Sequence, residues 1–257
     1  SDVYKRQIIY NIFYIYLQHY KPTKMIKADI QFNRIIFDSD TKKEFVPEKR
    51  LKPESIKKCL LFASEMAYGR GYHKSQSFGG TDYNRLPNEI FINTFQGKLA
   101  ELAIYNELFA LGIRPDKMPE FDIWGKGRWE DCDFTLNNGK IRASVKSTKW
   151  FGNLLLLEKD KYNEKGEFLE TFESDPFAYD FTFLVRISGV KSPKPEHYLE
   201  ENDIDVEVTG FLTHSKFLEV IKEKQVIPKG IILGSPLIVD NYYIFAKDLI
   251  DIKYLRI

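Results

Sequence analysis

An Asn-Gly pair at positions 138 and 139 stands between two alternating runs in the segment 131–146, DCDFTLNNGKIRASVK. Both residues tolerate the positive φ of a type I′ turn, so the segment predicts a β-hairpin with a two-residue loop. A fixed loop also fixes which side chains share a face, because strand side chains alternate sides. The predicted apolar face pairs Leu136 with Ile141, Phe134 with Ala143, and Cys132 with Val145.

The opposite face of this hairpin is polar, and two interpretations of it stand side by side. It pairs Thr135 with Arg142, Asp133 with Ser144, and Asp131 with Lys146. Antiparallel hairpins often keep one solvated face, on which Asp131 and Lys146 would form an ordinary cross-strand ion pair. The same face would also collect two carboxylates, a serine and a lysine into a site that binds a cation. The hairpin alone does not separate these interpretations.

Composition bounds the kind of chain. Its 257 residues are 43% hydrophobic and 15% aromatic, which is enough for a substantial core in one domain with elaborations. The 38 basic residues balance 37 acidic ones, so a nucleic-acid site must be a local patch. Two distant cysteines, Cys59 and Cys132, indicate neither a disulfide framework nor a zinc site, and we expect a cytoplasmic protein. No phosphate-binding glycine motif opens a helix, so no nucleotide cofactor is expected.

The N-terminal segment predicts no membrane span. Residues 1–7, SDVYKRQ, lack an initiator methionine, and the apolar run that follows is about ten residues, too short to cross a bilayer. We interpret residues 1–24 as non-native upstream translation. Residues 25–90 are expected to form an N-terminal helical and loop elaboration. Residues 91–257 are expected to hold the core and a C-terminal elaboration.

Periodicity predicts several regular elements beyond the hairpin. A strand is expected near residues 30–37, and a helix over 53–68 with Pro53 in its first turn. A second helix is expected over 95–112, where Gly112 provides the C-terminal stop. Strands are expected near 181–187, 207–212 and 242–244, with a helix over 215–224. The strand 181–187 has apolar residues on both faces, which predicts a central position in a sheet.

The segment 68–86 is glycine-rich and basic. It carries Arg70, Lys74 and Arg85 against one acidic residue, Asp82. Such a loop suits contact with a phosphate backbone, since lysine and arginine neutralise phosphates and glycine permits close approach. An ordinary solvated loop explains the same composition. Lys149, after the hairpin, joins this set of candidate nucleic-acid contacts.

The second helix places Lys98, Glu101, Tyr105 and Leu108 on one stripe, with Gly97 clearing space one turn before Glu101. Glu101 can therefore approach a neighbouring strand. The alternative is a surface glutamate paired with Lys98.

Helix and hairpin together resemble the PD-(D/E)XK nuclease superfamily, and within it the type II restriction endonucleases. The residues that carry the resemblance are QGKLAE at 96–101, DCDF at 131–134 and SVKS at 144–147. AYDFTFLVRIS, VTGFLTHSKFLEVI and DNYYIFAKDL are similar to the latter half of such enzymes, so the likeness covers most of residues 90–257. It implies an α/β fold with a restriction-endonuclease-like core, a mixed β-sheet flanked by helices.

The resemblance also implies a Mg²⁺ site. Asp133 would be the first ligand, the backbone carbonyl of Val145 would add another, and Lys146 would position the attacking water. The family pattern has an acidic residue where this chain has Ser144. Glu101, Asp131, or Ser144 acting through water remain as replacements, with Glu101 favoured, and without a replacement the site is inactive.

We therefore expect a magnesium-dependent endonuclease that cleaves double-stranded DNA, a type II restriction enzyme acting as a homodimer, because two-fold symmetry matches a palindromic site. A repair or junction-resolving nuclease, or a catalytically silent DNA-binding protein of the same fold, are the alternatives.

Overall fold

The computed structural model describes residues 25–47, 49–69, 86–123, 132–171, 175–198 and 204–257. The α-helices in these ranges are α1 (Pro53–Tyr68), α2 (Pro87–Ala110) and α3 (His214–Lys222). Short 3₁₀ turns lie at Lys159–Lys161, Pro195–Tyr198, Ala246–Asp248 and Ile252–Tyr254. The strands are β1 (Asp29–Gln31), β2 (Arg34–Ile36), β3 (Lys49–Arg50), β4 (Phe134–Leu136), β5 (Ile141–Lys149), β6 (Leu154–Glu158), β7 (Glu167–Phe168), β8 (Phe177–Ala178), β9 (Phe181–Ile187), β10 (Asp205–Thr213), β11 (Val226–Ile227), β12 (Ile232–Leu233), β13 (Ser235–Pro236) and β14 (Asn241–Phe245).

The main sheet is mixed and has the strand order β3-β10-β9-β5-β4. β5 and β9 run parallel, and the other neighbours in this sheet are antiparallel. β9 is the middle strand and is buried along its whole length. Phe183 and Val185 face one core cluster while Leu184 faces another, which confirms the predicted central strand.

Helices α1 and α2 cover the first face of the main sheet. Small residues Ala100 and Ala103 let the α2 backbone approach the strands, where Ala143 and Val185 join the same core cluster. The helix pair packs against itself as well, because Ile56 and Leu60 of α1 lie in that cluster. The predicted mixed sheet with flanking helices is therefore confirmed on this face.

The second face of the main sheet is covered by a smaller sheet of order β11-β14-β6 together with α3. Leu155 and Leu157 of β6 pack with Leu184 and Leu212 of the main sheet. The far side of this smaller sheet meets a third cluster, in which Ile35 of β2 takes part. Within the described residues, the connection from β5 to its parallel partner β9 holds short strands and no α-helix.

The predicted second helix is longer than expected at its start and ends as expected. α2 begins at Pro87, where the Glu89 carboxylate accepts a hydrogen bond from the Leu86 amide at 3.1 Å. At the C-terminus Gly112 has a φ of 76°, and the Ile113 amide bonds to the Leu108 carbonyl at 2.9 Å. This is the glycine stop that the sequence predicts. The helix 53–68 has the predicted bounds.

The predicted strand near residues 30–37 is instead a hairpin. β1 and β2 pair antiparallel around Phe32 and Asn33, whose φ values are 48° and 58°. Two consecutive positive φ angles are the geometry of a type I′ turn, and here the first position holds a phenylalanine that sequence rules do not associate with turns.

No helix in the described ranges combines the length and the apolar character needed to cross a membrane.

Candidate active site

The β4–β5 hairpin has the register that its sequence predicts. Phe134 opposes Ala143, Thr135 opposes Arg142, and Leu136 opposes Ile141. The loop differs from a simple type I′ turn. Asn137, Asn138 and Gly139 all have positive φ, at 55°, 57° and 76°, so one further residue takes the left-handed conformation.

Asp116 stabilises this loop from outside the hairpin. Its two carboxylate oxygens accept hydrogen bonds from the backbone amides of Asn138 at 2.9 Å and Gly139 at 2.7 Å. These bonds favour the ionised carboxylate, and they lower the pKa of Asp116. The Asp116 amide in turn donates to the Thr135 carbonyl at 2.9 Å. Nothing in the hairpin's own spacing indicates this contact.

One part of the predicted apolar face is wrong. Cys132 packs against the second core cluster, whereas Val145 packs against the first, so this pair does not share a face. The reason is that β4 begins only at Phe134 and the chain bends at Asp133. The strand alternation therefore does not extend back to Cys132.

Asp133 occupies the space beside β5 that β4 leaves open. Its Oδ2 accepts hydrogen bonds from the Ser144 hydroxyl at 3.1 Å and from the Val145 amide at 2.6 Å. Ser144 is only 1% exposed. The structure thus brings together three of the predicted site residues, Asp133, Ser144 and Val145. Ser144 donates a hydrogen bond to the carboxylate rather than adding a second one.

The backbone of Val145 places a further oxygen at the same edge. In an extended strand the N–H and C=O of one residue point to the same side, as the exchange of both bonds in a hydrogen-bonded pair shows. The Val145 amide points to Asp133. Its carbonyl therefore points to the Asp133 side of β5. At this position β5 is not paired with β4, because β4 begins only at Phe134.

Lys146 is half-buried on β5, opposite Leu184 of β9. Among the described residues it has no hydrogen-bond or ion-pair partner, Asp133 included. A half-buried ammonium group normally has a carboxylate partner, because burial penalises an unpaired charge. Lys146 therefore places an uncompensated positive charge close to the Asp133 edge.

Glu101 lies on the side of α2 that contacts the hairpin. Tyr105, one turn later on α2, stacks on Phe134 with ring centroids 6.5 Å apart. The Glu101 carboxylate pairs with Lys98 at 2.7 Å. Burial, assisted by the Glu101 charge, raises the pKa of the Cys59 thiol on α1 to about 12.

The remaining predicted site residues divide into two groups. Asp131, Arg70, Lys74 and Arg85 lie outside the described residues. Lys149 is described and exposed at the end of β5, with its Nζ 5.9 Å from the centre of the Phe151 ring.

The oxygen atoms around Asp133 are the type of ligand that a hard cation prefers, but there are few of them. Mg²⁺ takes oxygen ligands and keeps several waters, so one or two carboxylates seat it. The described residues offer the Asp133 carboxylate, the Val145 carbonyl and the Ser144 hydroxyl. They contain no group of three Asp, Glu, His or Cys side chains placed to hold a metal ion.

Tyr162 is a neighbour of Asp133 that the sequence does not indicate. Its ring is buried in the second cluster, against Phe217 at 5.0 Å and Phe168 at 5.5 Å. Burial raises the pKa of the Tyr162 hydroxyl, and the negative charges of Asp133 and Glu158 raise it further. Tyr162 is therefore a neutral phenol near the Asp133 carboxylate.

No protein-family model, curated protein or solved structure matches the chain.

Proposed function

We propose that this chain is a magnesium-dependent endonuclease that hydrolyses phosphodiester bonds in double-stranded DNA, of the type II restriction kind. One observation carries the proposal: Asp133 is hydrogen-bonded to the residue directly before Lys146 on β5. An acid from one motif thus bonds to the strand position next to the lysine of the other. The order of elements also supports it, with α2 packed on a mixed sheet whose hairpin precedes the parallel strand β9.

Each residue at the edge has a physical task in this reaction. The Ser144 hydroxyl and the Val145 amide hold Oδ2 of Asp133, which fixes the carboxylate so that its other oxygen and the Val145 carbonyl can ligate Mg²⁺. When bound, Mg²⁺ neutralises phosphate charge and lowers the pKa of a coordinated water. Lys146 orients the attacking water and stabilises negative charge that develops on the phosphate oxygens.

The second carboxylate remains a choice among the predicted residues. Glu101 is the first candidate, because its helix stripe contacts the hairpin at Phe134, and it would have to leave Lys98 to reach the ion. Asp131 precedes Asp133 by two residues and is the second candidate. Ser144 would contribute through a water molecule. A homodimer in the cytoplasm, cutting both strands at a palindromic site, completes the proposal.

Cleavage of plasmid DNA with Mg²⁺ and with EDTA tests the proposal. We expect Asp133→Asn and Lys146→Met each to lower the cleavage rate by about 10²–10⁴-fold, because a ligand or a proton-handling group is lost while the shape is kept. Lys140→Ala is the matched control, since Lys140 is an exposed lysine in the turn of the same hairpin. It should cut at the wild-type rate.

Wild-type cutting by either site variant would remove that residue from the mechanism. Glu101→Gln in the same assay assigns the second carboxylate: loss of cutting selects Glu101, and full activity selects Asp131 or Ser144. Thermal melts at the same protein concentration show whether each variant is folded.

A catalytically silent DNA-binding protein is the second candidate, and Ser144 favours it. The position that the family pattern gives to an acid is buried here and neutral. In the plasmid assay, discrete fragments indicate restriction, cutting of branched substrates alone indicates a junction-resolving or repair nuclease, and DNA binding without cutting indicates the silent protein.

A further inference from the structure

Two large aromatic rings are displayed in the loop that follows β5. Trp150 is 49% exposed and Phe151 is 59% exposed. Their rings meet edge to face, with centroids 5.5 Å apart. Grouped, exposed aromatic surface marks a contact site more often than a scattered apolar side chain does.

The backbone holds these rings in a fixed position. The Trp150 amide donates to the Ile187 carbonyl at 2.9 Å, and the Gly152 amide donates to the Lys149 carbonyl at 2.7 Å. A Cβ at Gly152 would lie 2.3 Å from Thr148 Oγ1, so a larger residue there would have to displace the Thr148 side chain. Binding of a partner to the rings should therefore cost little conformational entropy in this loop.

Phe151 is the outer ring and Trp150 supports it. Trp150 also contacts Phe45, at 6.4 Å between centroids. The carbonyls of Lys43 and Glu44, just before Phe45, accept hydrogen bonds from the buried guanidinium of Arg186. A chain of contacts from the sheet interior thus braces Trp150, and Phe151 projects beyond it.

A cation lies directly beside the outer ring, because Lys149 Nζ is 5.9 Å from the Phe151 centroid. An exposed ring with an adjacent lysine matches the two parts of a nucleotide, a flat base and a phosphate. A purely apolar protein partner would leave the ammonium group without a counterpart. The charge beside the ring therefore favours nucleic acid as the occupant.

The distance from the candidate active site is compatible with one DNA molecule. Trp150 lies six positions after Ser144, directly after the end of β5 at Lys149. At roughly 3.3 Å per residue this is about 20 Å. It corresponds to roughly six base pairs of duplex at 3.4 Å per step.

We propose that Phe151 stacks on a nucleobase that has left the base stack, while Lys149 binds a neighbouring phosphate and Trp150 holds Phe151 in place. The inference rests on the proposed function for its choice of DNA and extends it from the cutting site to the bound strand. Apolar side chains that enter a base step at an unstacked position are a known way for proteins to bind distorted DNA.

Fluorescence anisotropy with a labelled oligo-dT strand, in EDTA, tests the stacking contact. Phe151→Ala should weaken binding by about 5- to 140-fold, the range expected for one lost base–aromatic stack. Phe151→Trp should bind like the wild-type chain, and Phe151→Leu, which keeps apolar area without a π-face, should be as weak as Phe151→Ala. Lys149→Ala should reduce the salt slope by roughly 0.7.

Phe109→Ala is the control, because Phe109 is 52% exposed but lies on α2, where it contacts Tyr105 and Arg114. Equal binding by Phe151→Ala and Phe109→Ala overturns the proposal, as does absent binding by the wild-type chain. Full affinity in Phe151→Leu overturns the stacking contact, because apolar area without a π-face would then be enough for binding. Failure of the proposed function gives a different result: the wild-type chain would bind DNA but would not cut plasmid in Mg²⁺.

Discussion

Ser144 is a neutral residue beside the Asp133 carboxylate, so it adds no second negative charge at this edge of β5. Strand alternation predicts that it shares a face with Asp133, and the 3.1 Å hydrogen bond between them agrees. The Val145 amide bond to Asp133 was beyond sequence reasoning, because it depends on β4 beginning at Phe134 and not earlier. Local alternation predicts which side chains share a face of the hairpin. It does not predict where a strand ends, because that depends on packing.

Ser144→Asp tests whether this edge accepts a cation. The change puts a second carboxylate at a buried position against Asp133, and an unpaired buried charge costs about 3–5 kcal/mol of unfolding free energy. We expect a lower melting temperature in EDTA and its recovery in Mg²⁺, because the ion would neutralise the two carboxylates.

Ser144→Asn is the neutral control for this experiment. It should be destabilised without a response to Mg²⁺. A Ser144→Asp protein whose melting temperature is the same in EDTA and in Mg²⁺ would contradict a cation site at Asp133.

Elements with a local signal were predictable, and a short apolar run without alternation, such as β6, was not. The helix α1 and the end of α2 follow from capping residues, and the β4–β5 register follows from its turn. β6 reads LLLLE and has no period, because Leu155 and Leu157 enter the second cluster while Leu154 enters the third. An apolar run of that length does not distinguish a buried strand from a buried helix.

The β4–β5 turn should make stability depend on pH through Asp116. The folded pKa of Asp116 is lowered, so its contribution is present above the unfolded value, about 3.9, and is lost as the pH falls through the folded value. Asp116→Ala should therefore lower the urea midpoint at neutral pH, and this difference from wild type should shrink in acid.

Asp122→Ala serves as the comparison, since Asp122 is an exposed aspartate a few residues away that does not cap the turn. Its midpoint should follow the wild-type curve at both pH values. A constant deficit of Asp116→Ala at every pH would assign its effect to something other than the charged cap.

The whole molecule is a stack of helices, a mixed sheet, a smaller sheet and an outer four-stranded sheet. The first two layers are the helices and the mixed sheet that the sequence resemblance implies. Inside the main sheet, Arg186 of β9 pairs with Glu207 of β10 and donates hydrogen bonds to the Lys43 and Glu44 carbonyls, which lie far away in the sequence. No local pattern around Arg186 indicates those partners.

Removing one member of the buried Arg186–Glu207 pair should destabilise the whole fold. Burial raises the pKa of Glu207, while Arg186 opposes this shift. Arg186→Met removes the main counter-charge of the buried Glu207 and should cost about 3–5 kcal/mol in urea unfolding. The double variant Arg186→Met/Glu207→Leu should recover part of that loss, because neither charge remains.

Arg34→Met, at an exposed arginine of β2, is the control and should unfold like wild type. A double variant as unstable as Arg186→Met alone would show that lost hydrogen bonds to the 43–44 backbone, and not the stranded carboxylate, dominate the cost.

The carbonyls that Arg186 binds lie more than a hundred residues before it in the chain, at separations of 142 and 143. Contacts of that range form late, because a long loop must close before they contribute. We therefore expect the segment around Phe45 to dock after β9 and β10 have paired and to detach early in a partial opening. Such an opening would withdraw the support of Trp150 while the Asp133 hydrogen bonds stayed intact, so the proposed strand contact could be released without disturbing the proposed cutting site.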